Sequence, residues 1–102
     1  MDKYDEVQVA LMVEFGLQYQ EVIAFDVGRA IQPDALIVTA GAKGGGGRHI
    51  PIITTAQRKI LDRARDLAVE TGGRVVEPGL PAHYALANLR HLFKSRKPQK
   101  TT

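Results

Sequence analysis

The sequence predicts an α+β fold in which helices pack around a small antiparallel β-hairpin. Four segments place apolar residues at helical spacing, and two short β-type runs in the middle of the chain are joined by a glycine-rich connection. The chain has 102 residues, 44% hydrophobic and 25% charged, which suits one small domain and excludes a fully disordered chain. We expect a single domain over residues 1–96, followed by a flexible basic tail at 97–102 that has no apolar residue.

The first forty residues predict two helices. The first covers residues 5–15 and ends at Gly16, and its apolar stripe is formed by Val7, Ala10, Leu11 and Val13. A second, short helix is expected over 18–25. The following segment, 26–33, is less regular and leads into a turn at 31–34.

The β-type runs cover residues 35–39 and 48–53 and predict the two strands of the hairpin. Pro51 has no N–H group, so it belongs at a strand end or on an edge strand. Lys43 precedes four consecutive glycines, whereas a nucleotide-binding P-loop has Gly-Lys followed by Ser or Thr at a helix start. The connection is therefore either a solvated hairpin loop or a lysine finger that reaches over a phosphate backbone.

The remaining residues predict two longer helices. Thr54 and Thr55 can cap a helix over 56–70, which ends at Gly72 and Gly73. A turn between Pro78 and Pro81 precedes the last helix, 82–93.

Charge is distributed unevenly along the chain. Residues 1–40 carry two basic and seven acidic groups, whereas residues 41–102 carry twelve basic and four acidic groups, within a net charge of +3. Such asymmetry suggests a surface directed at a polyanion, or a basic tail next to a solvated helix.

Several classes of site and compartment are excluded or disfavoured. Without cysteine there is no disulfide, thiolate zinc site or cysteine nucleophile, and the three histidines lack metal-ligand spacing. We therefore expect no metal and no cofactor. The polar N-terminus is not a signal peptide, and the aliphatic runs are too short for a bilayer, so we expect a cytoplasmic protein without membrane contact.

Three segments taken in order resemble the catalytic domain of tyrosine recombinases, the phage-type integrases. Residues 15–21, FGLQYQE, resemble the first box of that family, Gly-Leu-Arg-x-x-Glu. Residues 42–52, AKGGGGRHIPI, resemble its hairpin, Thr-Lys-Gly-Gly-x-x-Arg-x-Val-Pro-Leu, and residues 54–57 resemble the cap of the next helix. The similarity covers about residues 7–71 and implies a DNA breaking–rejoining fold and a role in DNA integration or recombination.

The resemblance assigns roles to individual residues. In that family a tyrosine attacks a DNA phosphodiester, arginines stabilise the phosphorane, and the hairpin lysine protonates the leaving oxygen. Lys43 matches that general acid, and Glu21 matches the acidic residue that supports the site. Gln18 stands where the family has its first catalytic arginine, and a neutral amide cannot supply a fixed positive charge. Arg48 and His49 match positions where contacts with backbone phosphates are expected.

The second box of the family, His-x-x-Arg, has no clear counterpart. Residues 88–91 resemble its Leu-Arg-His core, but Ala87 occupies the place of the histidine. Arg90 is therefore either a catalytic cation or, like Lys94, a phosphate contact on a solvated helix face. The tyrosine nucleophile would lie beyond this box, so we expect part of a catalytic domain that does not cleave DNA by itself.

Three functions remain open at this point. The leading hypothesis is a catalytically incomplete, recombinase-like domain that binds the phosphates of double-stranded DNA through Lys43, Arg48, His49, Arg90 and Lys94. The second is a protein interaction module that forms a homodimer or regulates a full-length recombinase without touching DNA. The third is an active recombinase or topoisomerase that is assembled from fragments.

Overall fold

The computed structural model describes residues 2–39 and 47–96, and for residues 95 and 96 it describes the backbone alone. The elements in chain order are α1 (Lys3–Phe15), α2 (Tyr19–Ile23), α3 (Val27–Ala30), β1 (Ala35–Val38), β2 (Arg48–Pro51), α4 (Thr55–Thr71) and α5 (Ala82–Arg96). The predictions made for Lys43, for most of the glycine-rich connection and for the tail at 97–102 lie outside the described residues.

The α+β class is confirmed, because helices surround a two-stranded antiparallel sheet. The strands pair from Ala35 opposite Pro51 to Val38 opposite Arg48. Pro51 is the last residue of β2, where its missing N–H costs the ladder nothing, as predicted.

Local caps place the helix ends that position the rest of the molecule. Gly16 ends α1 in the left-handed conformation, with φ 67°, and its N–H donates to the carbonyl of Met12. Thr54 caps α4 in a capping box with Gln57. The Gln57 amide also donates to the carbonyl of Glu14 at 3.2 Å, which holds the start of α4 beside the end of α1.

Helix α1 lies at the centre of the core, and the prediction of which of its apolar residues face the core is partly wrong. Val13 was expected to face the core but is 57% exposed, whereas Val9 and Met12 are buried. The reason is that α1 packs against α2, α4 and α5, so most of its circumference is covered. Even Gln8 is buried, and its amide donates to the carbonyl of Val75 at 2.8 Å.

The segment 26–33 is more regular than expected. Asp26 accepts a hydrogen bond from the N–H of Gly28 at 3.1 Å and caps the four-residue helix α3. The N–H of Val27 donates to the carbonyl of Gly73 at 2.8 Å, so α3 is tied to the turn after α4. In the part of the chain that is described, no helix has both the length and the apolar character needed to cross a bilayer.

Candidate functional site

A buried carboxylate joins the two segments that suggested a function. Glu21 on α2 is 2% exposed, and its Oε1 accepts the backbone N–H of Gln18 at 2.7 Å. The same oxygen forms an ion pair with the guanidinium of Arg48 at the start of β2. Arg48 also donates to the carbonyl of Gly16 at 3.4 Å. The hairpin is therefore fastened to the turn between α1 and α2.

The sequence around Glu21 explains this position. Gln18 is the N-cap of α2 and Glu21 is its third residue, so together they form a capping box. A buried carboxylate is costly unless it is paired, and Arg48 supplies the opposite charge. The Arg48 side chain is still 42% exposed, and a guanidinium has five N–H donors, so it retains donors for a further acceptor.

The predicted sites Gln18 and Arg90 meet in one open groove. They line a depression of about 440 Å³ together with Gly16, Tyr19 and Phe93. The guanidinium of Arg90 lies over the Tyr19 ring, 5.5 Å from its centroid. This cation–π contact holds a positive charge at the α1–α2 turn, beside the carbonyl that Arg48 contacts.

The other predicted contacts lie at the margin of this groove or away from it. Lys94 is exposed and follows Arg90 by four residues, so the two share a face of α5. His49 is also exposed, but successive strand residues point to opposite faces, so it faces away from the side on which Arg48 meets Glu21.

We call the part of the molecule where α1 ends the basic end. Its cations are Arg48, Arg90 and Lys94. The acidic end lies where α1 begins and carries Asp2, Asp5, Glu6 and Glu70. Its carboxylates contact neighbouring elements, as in the ion pair between Glu6 and Arg63 at 2.7 Å and the bond between Asp5 and Asn88 at 3.0 Å. Lys3 and Arg63 lie among these carboxylates, and Glu14 and Glu21 lie at the basic end, so the two names describe only the predominant charge of each end.

In one cluster at the acidic end, the pKa values of two side chains are shifted. Lys3 and Tyr4 both contact Glu70, at 2.6 and 2.5 Å. The hydrogen bonds from Lys3 and Tyr4 lower the pKa of Glu70, and the bond that the phenol donates to Glu70 raises the pKa of Tyr4 to about 12. The cluster is a surface ion pair that connects α1 to the end of α4.

Sequence reasoning gave Tyr19 no site role and did not foresee the pairing of Arg48 with Glu21. Tyr19 is half-buried and meets Phe93 edge to face, with 6.1 Å between ring centroids. Its signal was its place directly after Gln18 in the first-box segment. The pairing of Glu21 with Arg48 has no local signal, because it joins residues 27 positions apart.

Among the described residues, no three His, Asp or Glu side chains come together as a metal-binding group. A scan against models of protein families, and searches of the curated proteins and of the solved structures, found no match to this sequence.

Proposed function

We propose that this chain binds double-stranded DNA through its basic end, as a catalytically incomplete domain of the tyrosine-recombinase type. One observation carries the proposal. Arg48 from the hairpin and Arg90 from α5 come to the same turn, beside Gln18 of the first-box segment. Three of the residues named from the resemblance thus lie at one turn, although they are far apart in the sequence.

The chemistry of this cluster suits phosphate binding better than phosphoryl transfer. Guanidinium groups form charge-assisted hydrogen bonds with phosphate oxygens, and such contacts fix a protein on a duplex without reading its sequence. Gln18 can donate a hydrogen bond from its amide to a phosphate, but it adds no charge to stabilise a phosphorane. Binding without strand cleavage is the activity that we propose.

In this proposal Glu21 acts on DNA indirectly. Its carboxylate is buried and already satisfied, so it orients Arg48 and does not face the ligand. Lys94 extends the phosphate contacts along α5. Contacts by His49 and Lys43 stay predictions, because His49 faces away from the Arg48 side of β2 and Lys43 lies outside the described residues.

A salt titration of duplex binding tests the proposal. If about four to six phosphates are neutralised, log K falls with log salt at a slope of roughly −4 to −5. We expect Arg90→Ala to reduce the magnitude of that slope by about 1 and to weaken binding equally for different sequences. The matched control is Arg65→Ala, which removes the same charge from an exposed site on α4. A flat slope, no binding, or equal effects of the two variants would contradict the proposal.

A second candidate function is self-association, and exposed apolar side chains favour it. Val13 is 57% exposed and Ile53 is 78% exposed. Gln57 accepts the N–H of Ile53 and donates to the carbonyl of Glu14, the residue after Val13, so the two exposed residues belong to segments that meet at Gln57. Sedimentation of the protein at low and high salt tests for self-association. A monomer at all protein concentrations would rule this function out.

A further inference from the structure

A second depression adjoins the groove of the proposed site. It has a volume of about 390 Å³ and lies along the contact between α2 and α5, with an apolar floor that includes Ile23, Ala24 and Leu86. Gln20 lines both depressions, so they meet at α2. We call the two together the α2–α5 groove.

Cations lie at both ends of this groove, and no carboxylate among the described residues lines it. Arg90 lines one end and Arg74 lines the other. The guanidinium of Arg74 donates to the carbonyl of Ile23, which fixes its position at the end of α2. Arg74 also lines two neighbouring depressions, one together with Asp26 and the other together with Glu77. The charged residues that line the groove itself are cations, which favours an anionic ligand.

Aromatic rings accompany each of these cations. Tyr19 and Phe93 lie at the Arg90 end. At the Arg74 end, His83 lines the groove, and its ring lies 4.3 Å from that of Tyr84, which is outside the groove. Grooves that bind single-stranded nucleic acid combine cations with aromatic side chains, because every base has a face that can stack.

The length of the groove fits a few nucleotides. His83 and Arg90 are seven residues apart on α5, which corresponds to about 10 Å along the helix axis. One strand of B-DNA carries one phosphate for about every 3.4 Å, and an unstacked strand is more extended, so this distance covers at most about three phosphates. The bases of an intact duplex are paired and stacked on each other, so they cannot reach the apolar floor.

We propose that the α2–α5 groove binds a short single-stranded nucleic acid segment. Phosphates contact Arg90 and Arg74, and a base lies against the apolar floor beside His83. This inference rests on the proposed function, because Arg90 belongs to both sites, but it adds unpaired strands to the ligands and Arg74 and His83 to the contacts.

The test compares a short oligothymidine, an oligouridine of equal length and a hairpin duplex with the same number of phosphates, by fluorescence anisotropy. We expect the single strands to bind more tightly than the duplex. We expect His83→Ala to weaken single-strand binding about tenfold, as the loss of one stacked base predicts, and to leave duplex binding unchanged. We expect Arg74→Ala to reduce the magnitude of the salt slope for single-strand binding by about 0.7. Arg74→Lys keeps the positive charge, so we expect it to restore part of this slope.

Each outcome decides between the two proposals. Arg65→Ala controls for charge, and thermal unfolding of every variant identifies those that fail to fold. If the duplex binds with its salt slope and the single strands bind no better, the inference fails and the proposed function stands. If His83→Ala and Arg74→Ala behave like Arg65→Ala, the inference also fails. If no nucleic acid binds, both the inference and the proposed function fail. Equal affinity for the oligothymidine and the oligouridine would show that the groove does not distinguish DNA from RNA by the 2′-hydroxyl.

Discussion

The basic and acidic ends of the molecule both contain a glutamate that joins distant parts of the chain, but the two glutamates differ in burial. Glu21 at the basic end is 2% exposed and pairs with Arg48 of the hairpin. Glu70 at the acidic end is exposed and contacts Lys3 and Tyr4 of α1. Both contacts are made by charged atoms at hydrogen-bonding distance, so the contacts alone do not rank their importance.

The exposure of each glutamate to solvent decides which of the two contacts contributes more to stability. Water stabilises an exposed carboxylate that loses its partner, and salt screens the pair while it exists. A buried carboxylate that loses its partner has no such compensation. We infer that the pair of Glu21 and Arg48 is required for the arrangement of the basic end, whereas the contacts of Glu70 are dispensable.

The largest expected effect comes from removing the partner of the buried carboxylate. We expect Arg48→Met to lower the free energy of unfolding by about 3 kcal/mol, because Glu21 is left buried and charged without its cation. Lys3→Met is the matched change at the acidic end, and we expect a change within the error of the measurement. Urea denaturation followed by circular dichroism measures both.

A double variant separates the charge from the packing. Glu21→Gln combined with Arg48→Met removes both charges and keeps an oxygen that can accept the N–H of Gln18. We expect it to recover most of the stability that Arg48→Met loses. Equal losses in the single and double variants would show that the ion pair is not what distinguishes the two ends.

A smaller effect is expected at the glycines that end a helix near each end of the molecule. Gly16 after α1 has φ 67° and Gly72 after α4 has φ 74°, and an added Cβ would meet no atom within 4 Å at either. Alanine at each position should therefore cost only the backbone strain of the left-handed conformation, about 1 kcal/mol. The two variants should lose equal stability in the same urea titration.

DNA binding should nevertheless separate this pair of variants. The carbonyl of Gly16 accepts from Arg48, and Gly16 lines the groove with Gln18 and Arg90, whereas Gly72 does not line it. We expect Gly16→Ala to weaken duplex binding and Gly72→Ala to leave it unchanged. Equal binding by both variants would place the interface elsewhere.

The elements of the fold were predictable because their signals are local. Gly16 and Gly72 mark helix ends, the side chain of Thr54 caps α4, and the glycine-rich connection separates two β-type runs. The four-residue helix α3 was missed because it is too short to show a period, and its cap at Asp26 depends on a single hydrogen bond. Local signals therefore gave the order of the elements.

What surrounds each residue was less predictable, because it depends on packing between distant segments. Val13 has the spacing of a core residue, but α1 is covered on its other sides and leaves this one open. Glu21 could be placed in a box by its sequence, yet its burial and its pairing with Arg48 depend on residues that are distant in the sequence. Similarly, Arg74 had no motif, and only the fold places it at one end of the α2–α5 groove.

The smallest effect on stability, and the one most specific to the acidic end, concerns the titration of Tyr4. Its pKa is raised from 10.0 to about 12 because its phenol donates to Glu70, whose own pKa is lowered by Lys3 and Tyr4. The contribution of Tyr4 to stability is thus present below pH 10.0 and lost as the pH rises through about 12. That of Glu70 is present above its ordinary pKa of 4.5 and is lost as the pH falls below it.

Tyrosine labelled with ¹³C at the ring carbon that bears the hydroxyl lets NMR follow the three phenols of the chain separately. In Glu70→Ala we expect the Tyr4 midpoint to move towards 10.0 while the unfolding free energy at neutral pH stays nearly constant. A midpoint of 10.0 in the unaltered protein would show that the contact with Glu70 does not persist in solution. A large loss of stability in Glu70→Ala would contradict the inference that the buried glutamate contributes more to stability, since the exposed Glu70 would then matter as much as Glu21.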